Sequence, residues 1–203
     1  MKKDMTVTYI VDRALYVNVT NRCTNNCEFC IRKNGDGAYG SNSLWLEREP
    51  TEDEILASVF ERELAQFTEV VFCGYGEPSI RLDVCRSVAL EIKKRANIPV
   101  RMNTNGQSTL YHKFDTAPLY KDAFDCISIS LNTPSEIRYN EICKPVKDGA
   151  YCAMLDFARE VKKYVPTVIL SVVRDFLTSD ELLECQSIAD NLSVTLKVRD
   201  YIS

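Results

Sequence analysis

The sequence predicts an α/β protein built on a parallel sheet. Two observations carry this expectation. Apolar runs of strand length alternate six times with longer stretches of helical periodicity between residues 15 and 198, the pattern of strand–helix–strand units joined by right-handed crossovers. Gly, Asn and acidic residues collect directly after the runs, and in parallel α/β folds ligands bind at the carboxyl ends of the strands. The 203 residues suit one domain, 1–203, with enough chain to bury a sizeable core.

The elements follow in order. Residues 6–11 and 15–20 read as short strands around Asp12-Arg13-Ala14, the first being an extra N-terminal strand within residues 1–13. Residues 21–48 form a long polar loop with Gly35, Gly37 and Gly40, and a loop of this length inside a compact domain is functional or mobile. Trp45, the only tryptophan, is expected to anchor it, with stacking on a substrate as the alternative. Thr51 opens a helix, because Glu54 stands at the capping-box position and Glu52 and Asp53 put acids in the first turn. Residues 69–73 form a buried strand ending in Gly74-Tyr75-Gly76-Glu77-Pro78. A helix over 82–96 leads to a strand over 99–102 and then Asn103-Thr104-Asn105-Gly106. Residues 111–123 give a weaker signal, a short helix or loop. Residues 125–131 form the fourth strand, before Asn132-Thr133-Pro134. Helices over 135–142 and 148–164 precede the fifth strand, 167–173. A helix over 179–190 with Ser179 as N-cap precedes the sixth, 193–198. The cysteine-bearing loop, GYGEP, NTNG and SLN therefore fall on one rim of one sheet.

Composition narrows the function. A net charge of −4 argues against a large basic footprint for nucleic acid. No apolar run approaches the roughly 20 residues that cross a bilayer. Asp4, Thr6, Thr8 and Asp12 interrupt any apolar signal core, so a cytoplasmic protein without membrane contact is expected. Nine cysteines without a secretion signal argue against a disulfide framework. Most of Cys73, Cys85, Cys126, Cys143, Cys152 and Cys185 are expected to be small buried hydrophobes.

The other three cysteines differ. Cys23, Cys27 and Cys30, spaced C-x3-C-x2-C, stand among Thr24, Asn25, Asn26 and Glu28, which are too polar for core. Clustered thiolates select zinc or iron in iron–sulfur form. Three cysteines without a nearby His leave a tetrahedral zinc one ligand short, although Cys73 offers a distant fourth. A four-iron cluster held by three cysteines leaves one iron open to a small molecule. Gly74 and Gly76 let backbone approach a ligand closely; amides there can bind an amino-acid head group, and Glu77 can accept from an ammonium. The alternative is an ordinary strand-to-helix turn. Asn103 and Asn105 offer amide groups at a strand end. Ser128, Ser130 and Asn132 alternate onto one face, where they need partners or water. Ribose hydroxyls or a carboxylate would serve, as would a hydrated mouth.

Together the C-x3-C-x2-C loop with Phe29 before its last cysteine, GxGEP, NTNG and SISLN, in this order, resemble the radical S-adenosylmethionine (radical SAM) superfamily. Within it, VTNRCTNNCEFCIR, GYGEPSIRLD and RMNTNGQ look similar to the small TatD-associated radical SAM proteins. The resemblance implies a partial (β/α)6 TIM-like barrel of parallel strands, with residues 21–48 as the cluster-binding loop. It implies that Cys23, Cys27 and Cys30 hold a [4Fe–4S] cluster whose open iron takes the amino and carboxylate groups of S-adenosylmethionine. An electron from the cluster would then break a sulfonium C–S bond, giving methionine and a 5′-deoxyadenosyl radical that abstracts hydrogen from a substrate. By the same resemblance Phe29 lies next to adenine, and Gly74, Gly76 and Glu77 lie at the methionine amino group. Tyr75 departs from the family's usual glycine. Asn103, Asn105, Ser130 and Asn132 would line the cofactor, and Val172 and Val173 would pack on adenine. An electron donor such as flavodoxin or ferredoxin is implied; a substrate is not.

No second cysteine cluster is present, so an auxiliary iron–sulfur site is not expected. The chain stops just after the sixth strand, and a protein partner or macromolecular substrate is expected to help close the open side. An activase or macromolecule modifier and a small-molecule enzyme are both compatible with the chain. A non-catalytic zinc or iron–sulfur interaction module is the reading from another class. Arg138, Arg174, Arg199 and Asp200 lie near strand ends and are candidates for substrate contact, and the lone His112 is expected in a surface loop.

Overall fold

A computed structural model describes residues 2–201. Seven strands form one sheet in chain order: β1 (Thr8–Val11), β2 (Ala14–Val17), β3 (Glu69–Phe72), β4 (Val100–Thr104), β5 (Cys126–Ser130), β6 (Thr167–Val173) and β7 (Thr195–Arg199). β1 runs antiparallel to β2, and each later pair is parallel. β1 and β7 are not paired, so the sheet is an open part-barrel. The helices are α1 (Glu52–Phe60), α2 (Leu82–Arg95), α3 (Ser108–His112), α4 (Glu136–Cys143), α5 (Ala150–Val161) and α6 (Ser179–Leu192). The expected parallel α/β architecture with an extra first strand is present. No helix of the described residues is long and apolar enough to cross a membrane.

Local chemistry sets the boundaries. α1 carries the expected capping box: Thr51 Oγ1 accepts from the Glu54 amide, and Glu54 accepts from the Thr51 amide. α6 corrects the expected cap. Thr178, not Ser179, is its N-cap, because only Thr178 stands three residues before Glu181, which completes the reciprocal box. α5 starts later than expected, after Gly149 in the left-handed region (φ 71°). α3 starts earlier, at Ser108, and a short 3-10 turn at Ala117–Tyr120 covers the rest of the weak segment. β2 stops at Val17 rather than residue 20 because the Asn18 side chain turns away, donating to the carbonyls of Leu44 at 2.8 Å and Thr6 at 3.3 Å.

The two faces of the sheet differ in character. One buries Val70, Phe72, Met102, Ile127, Ile129 and Leu170 against the helices in the main core. The other curls around a polar concavity lined by Tyr16, Arg101, Asn103, Ser128, Ser130 and Ser171. Valine 172 is thus corrected: it is fully buried on the helix side, while its neighbour Val173 faces the concavity, as strand alternation demands. A second small core of Tyr9, Ala38, Leu44 and Tyr75, with Trp45 against it, pins the long loop. Trp45 meets Tyr75 edge-on at 5.1 Å and does not line the cavity, so it is the loop anchor.

All nine cysteines are free. Of the six expected to be mostly buried, only Cys85, Cys143 and Cys185 are; Cys73 and Cys126 are half-buried, and Cys152 is exposed on the solvent side of α5.

Candidate functional site

The concavity holds a cavity of about 330 Å³ at the carboxyl ends of the strands. It brings together Cys23, Cys27, Phe29, Cys30, Gly74, Gly76, Glu77, Asn103, Asn105, Ser130 and Asn132, and of the two valines expected at adenine it includes Val173 but not Val172. The three thiols are half-buried. Among the described residues no three His, Cys, Asp or Glu side chains converge on a single-ion position.

The cysteine loop is held from two sides. Its far side is clasped by the end of α4 and the residues beyond it. The Asn26 amide donates to the Cys143 carbonyl at 3.0 Å, Glu28 to Ile142 at 2.8 Å, and Val146 returns a bond to Thr24 at 2.8 Å. Buried side chains add to the clasp: Gln107 Nε2 donates to Asn25 Oδ1 at 2.7 Å, and Asn25 Nδ2 donates to the Tyr139 hydroxyl at 3.1 Å. On its near side, the Glu77 amide donates to the Arg22 carbonyl at 2.7 Å. A Cβ at Gly76 would lie 2.2 Å from the Thr20 carbonyl oxygen, so only glycine lets the β3–α2 turn lie this close to the loop. Gly74 is similarly pressed against the Asn18 side chain.

Glu77 is buried, and its carboxylate accepts three bonds from its own chain. Thr104 Oγ1 donates at 2.6 Å, the Asn105 amide at 2.7 Å and the Ser79 amide at 3.1 Å. Burial nevertheless holds its pKa above the ordinary carboxylate range. An incoming ammonium would join these donors rather than find a free carboxylate. Asn105 is also engaged, donating to Thr24 Oγ1 at 2.7 Å. By contrast, Asn103 Oδ1 and Asn132 Oδ1 are buried with no partner. Buried acceptors left unpaired are costly, and these two line the cavity. Asn132 is in the left-handed region (φ 63°), which swings it off the end of β5 into the cavity. Phe29 also lines the cavity and packs on Phe176 at 5.0 Å, with Tyr201 beyond at 5.4 Å.

Burial pushes the Cys23 thiol up to about 12, with the Glu77 charge adding to it. The adjacent Cys143 thiol, and then burial, push Cys27 up as well. Without a bound cation both are thiols at neutral pH, and a metal must displace their protons.

The sequence profile of the Radical SAM superfamily matches residues 17–186. The chain belongs to this superfamily. It is 27% identical over 191 residues to molybdenum cofactor biosynthesis protein 1 of Drosophila melanogaster, an alignment covering 93% of this chain and 31% of that protein. Over 88 residues it is 38% identical to a Methanosarcina barkeri 5-amino-6-(D-ribitylamino)uracil–L-tyrosine 4-hydroxyphenyl transferase, covering 43% of this chain and 20% of the relative. The chain therefore spans a third or less of these relatives. Among solved structures, the radical SAM fold recurs in HydG, a maturase of the [FeFe]-hydrogenase, with a TM-score of 0.68, 17% identity and coverage of 94% of this chain and 42% of that one. Streptococcus suis SuiB bound to S-adenosylmethionine gives a TM-score of 0.66 at 15% identity, covering 93% and 38%. These likenesses establish the partial TIM barrel.

Sequence reasoning did not single out Tyr9, Tyr16, Arg101 or Lys197, which line the same cavity, and it named Cys73 and Cys126 only as a distant metal ligand or as buried hydrophobes. Cys73 lines the cavity, and Cys126 is half-buried at the start of β5. Of the charged residues flagged near strand ends, Arg199 and Asp200 reach the cavity, while Arg138 pairs with Glu141 and Arg174 with Asp200 outside it. His112 is partly buried, its Nε2 2.9 Å from the Ser79 carbonyl, and does not line the cavity.

Proposed function

We propose that residues 1–203 form one radical SAM core in which Cys23, Cys27 and Cys30 hold a [4Fe–4S] cluster beside S-adenosylmethionine. One observation carries the reading: the C-x3-C-x2-C thiols open onto the same cavity as the two orphaned acceptors Asn103 Oδ1 and Asn132 Oδ1. The residues fit the group. Thiolates are the right donors for iron–sulfur. Each cysteine of a four-iron cluster binds a different iron, so the three need not converge on one point, as a single zinc would require. The orphaned acceptors suit hydroxyl or ammonium donors of the cofactor.

When bound, the reduced cluster and S-adenosylmethionine supply a 5′-deoxyadenosyl radical that abstracts hydrogen from the substrate. The chain's own residues bind, orient and shield. The Gly74–Gly76 turn brings backbone amides to the methionine end. Glu77 fixes that turn against the end of β4, with a remaining lone pair for the amino group. Asn103 and Asn132 accept from donors of the cofactor, Asn105 and Ser130 complete the wall, and Phe29 shields the adenine side with Phe176 behind it. Electrons come from a reduced flavodoxin or ferredoxin. The likeness to small TatD-associated members supports this cofactor set and names no substrate.

A second reading, a peptide or protein seated against the open side, is favoured by the unpaired outer edge of β7. The solved structure of SuiB bound to its precursor peptide SuiA has a TM-score of 0.65 to this chain at 14% identity.

The test is anaerobic reconstitution with iron and sulfide, reduction with dithionite, and addition of S-adenosylmethionine. Formation of 5′-deoxyadenosine and methionine is expected. A fully loaded cluster that neither binds nor cleaves S-adenosylmethionine would sink the proposal.

A further inference from the structure

The β7 side of the cavity carries charge that the cofactor residues do not explain, on two exposed side chains. Lys197 and Arg199 lie on β7, alternating with Leu196 and Val198, which pack on the main core. Both therefore point to the concave face, beside Ser171 and Val173 of β6, and both line the cavity. Two residues apart on a strand, they stand about 6–7 Å from each other along it. Neither has a hydrogen bond or ion pair with a described residue.

The acids around them do not neutralise them. Arg199 faces Cys73 at the end of β3 and Tyr39 of the long loop. Lys197 faces Cys126 of β5. Tyr9 and Tyr16 close the opposite wall. Burial raises the pKa of all five of these groups, so each is neutral at neutral pH. Glu69 is taken by Arg101, in a two-bond pair at 2.7 and 3.0 Å. Asp200 lies 3.6 Å from Arg174, and Glu77 is already surrounded by three donors. Two exposed cations, without a hydrogen bond or ion pair to any described residue, thus stand side by side on the cavity wall, where their fields add.

We propose that Lys197 and Arg199 form the substrate subsite, binding a carboxylate or phosphate group of a small-molecule substrate. Both groups offer paired oxygens that two cations on one strand face can clamp. The anion would anchor the substrate at the β7 wall of the cavity, with the tyrosine wall against its body. This rests on the reading above that the cavity is where the chemistry occurs.

The test uses the metal-free chain, so it is independent of cluster loading. Equilibrium dialysis at low ionic strength would measure binding of inorganic phosphate and, separately, of malonate. The variants are Lys197→Gln and Arg199→Gln, with Lys121→Gln, an exposed site outside the cavity, as control. Saturable one-to-one binding of either anion is expected. Its affinity should fall roughly tenfold in each β7 variant, the loss of one charge-assisted hydrogen bond, and stay unchanged in Lys121→Gln. Binding of phosphate alone assigns a phosphoryl substrate, and binding of malonate alone a carboxylate. No saturable binding by the folded chain, or equal binding by all three variants, would overturn the subsite and leave the two cations as guards of the β7 edge. The two proposals fail separately. Cleavage of S-adenosylmethionine without anion binding removes only the subsite, and anion binding without cleavage removes only the cofactor reading.

Discussion

Three donors converge on the Glu77 carboxylate, and this residue shows how the site is assembled from single positions. Glu77 ties the turn after β3 to the end of β4, while Gly76 lets that turn touch the cysteine loop. Gly76→Ala would drive a methyl group to 2.2 Å from the Thr20 carbonyl oxygen and 2.6 Å from that of Arg22. It should destabilise the chain by about 1–3 kcal/mol, read as a lower urea midpoint, and should weaken iron loading. Cys27→Ala should lose most of its iron on anaerobic reconstitution, whereas the exposed Cys152→Ala should load like the wild type. Equal iron in the two would remove the ligand assignment. At this scale the motifs were legible because their chemistry depends on spacing. Lys197 was not, since a basic residue on a short strand carries no signal until the curvature of the sheet shows which face is concave.

Among the elements, the caps tell how far pattern alone reaches. Thr178-Ser179 offers two adjacent residues of cap type, and only the three-residue step to Glu181 decides between them. α1 offered no such choice. Glu54 completes its capping box and pairs with Arg48 at 2.7 Å, and together these contacts hold its pKa down at about 2. An acid whose folded pKa is depressed stabilises above its unfolded value, and that contribution is lost as pH falls through the folded one. The gap in melting temperature between wild type and Glu54→Gln should therefore be widest above about pH 5 and close as pH falls toward about 2. A constant gap would contradict the box. The clasp on the cysteine loop was not legible at all, because its partners at 142–146 end or follow α4, a helix whose docking depends on the whole sheet.

On the scale of the molecule, the alternation of strands and helices foretold a parallel sheet, the family resemblance foretold its barrel order, and the polar alternation of β5 foretold a wet inner face. The two faces should respond differently to truncation. Ile129 is fully buried against the helices, so Ile129→Ala should cost about 2–5 kcal/mol in urea unfolding. Ser128 faces the cavity and its hydroxyl bonds to no described residue, so Ser128→Ala should stay within about 0.5 kcal/mol of wild type. The openness of the sheet between β1 and β7 could not be derived from periodicity, which counts strands without closing them. The clasp has a further bearing on how the protein is made. Asn25 finds the Tyr139 hydroxyl 114 residues farther along the chain, with Cys143 and Val146 beyond. During synthesis the three cysteines leave the ribosome before the walls that fix their loop, which emerge only after more than a hundred further residues. On the proposed cluster reading, iron can be held only after that docking, once the sheet has grown far enough to receive it.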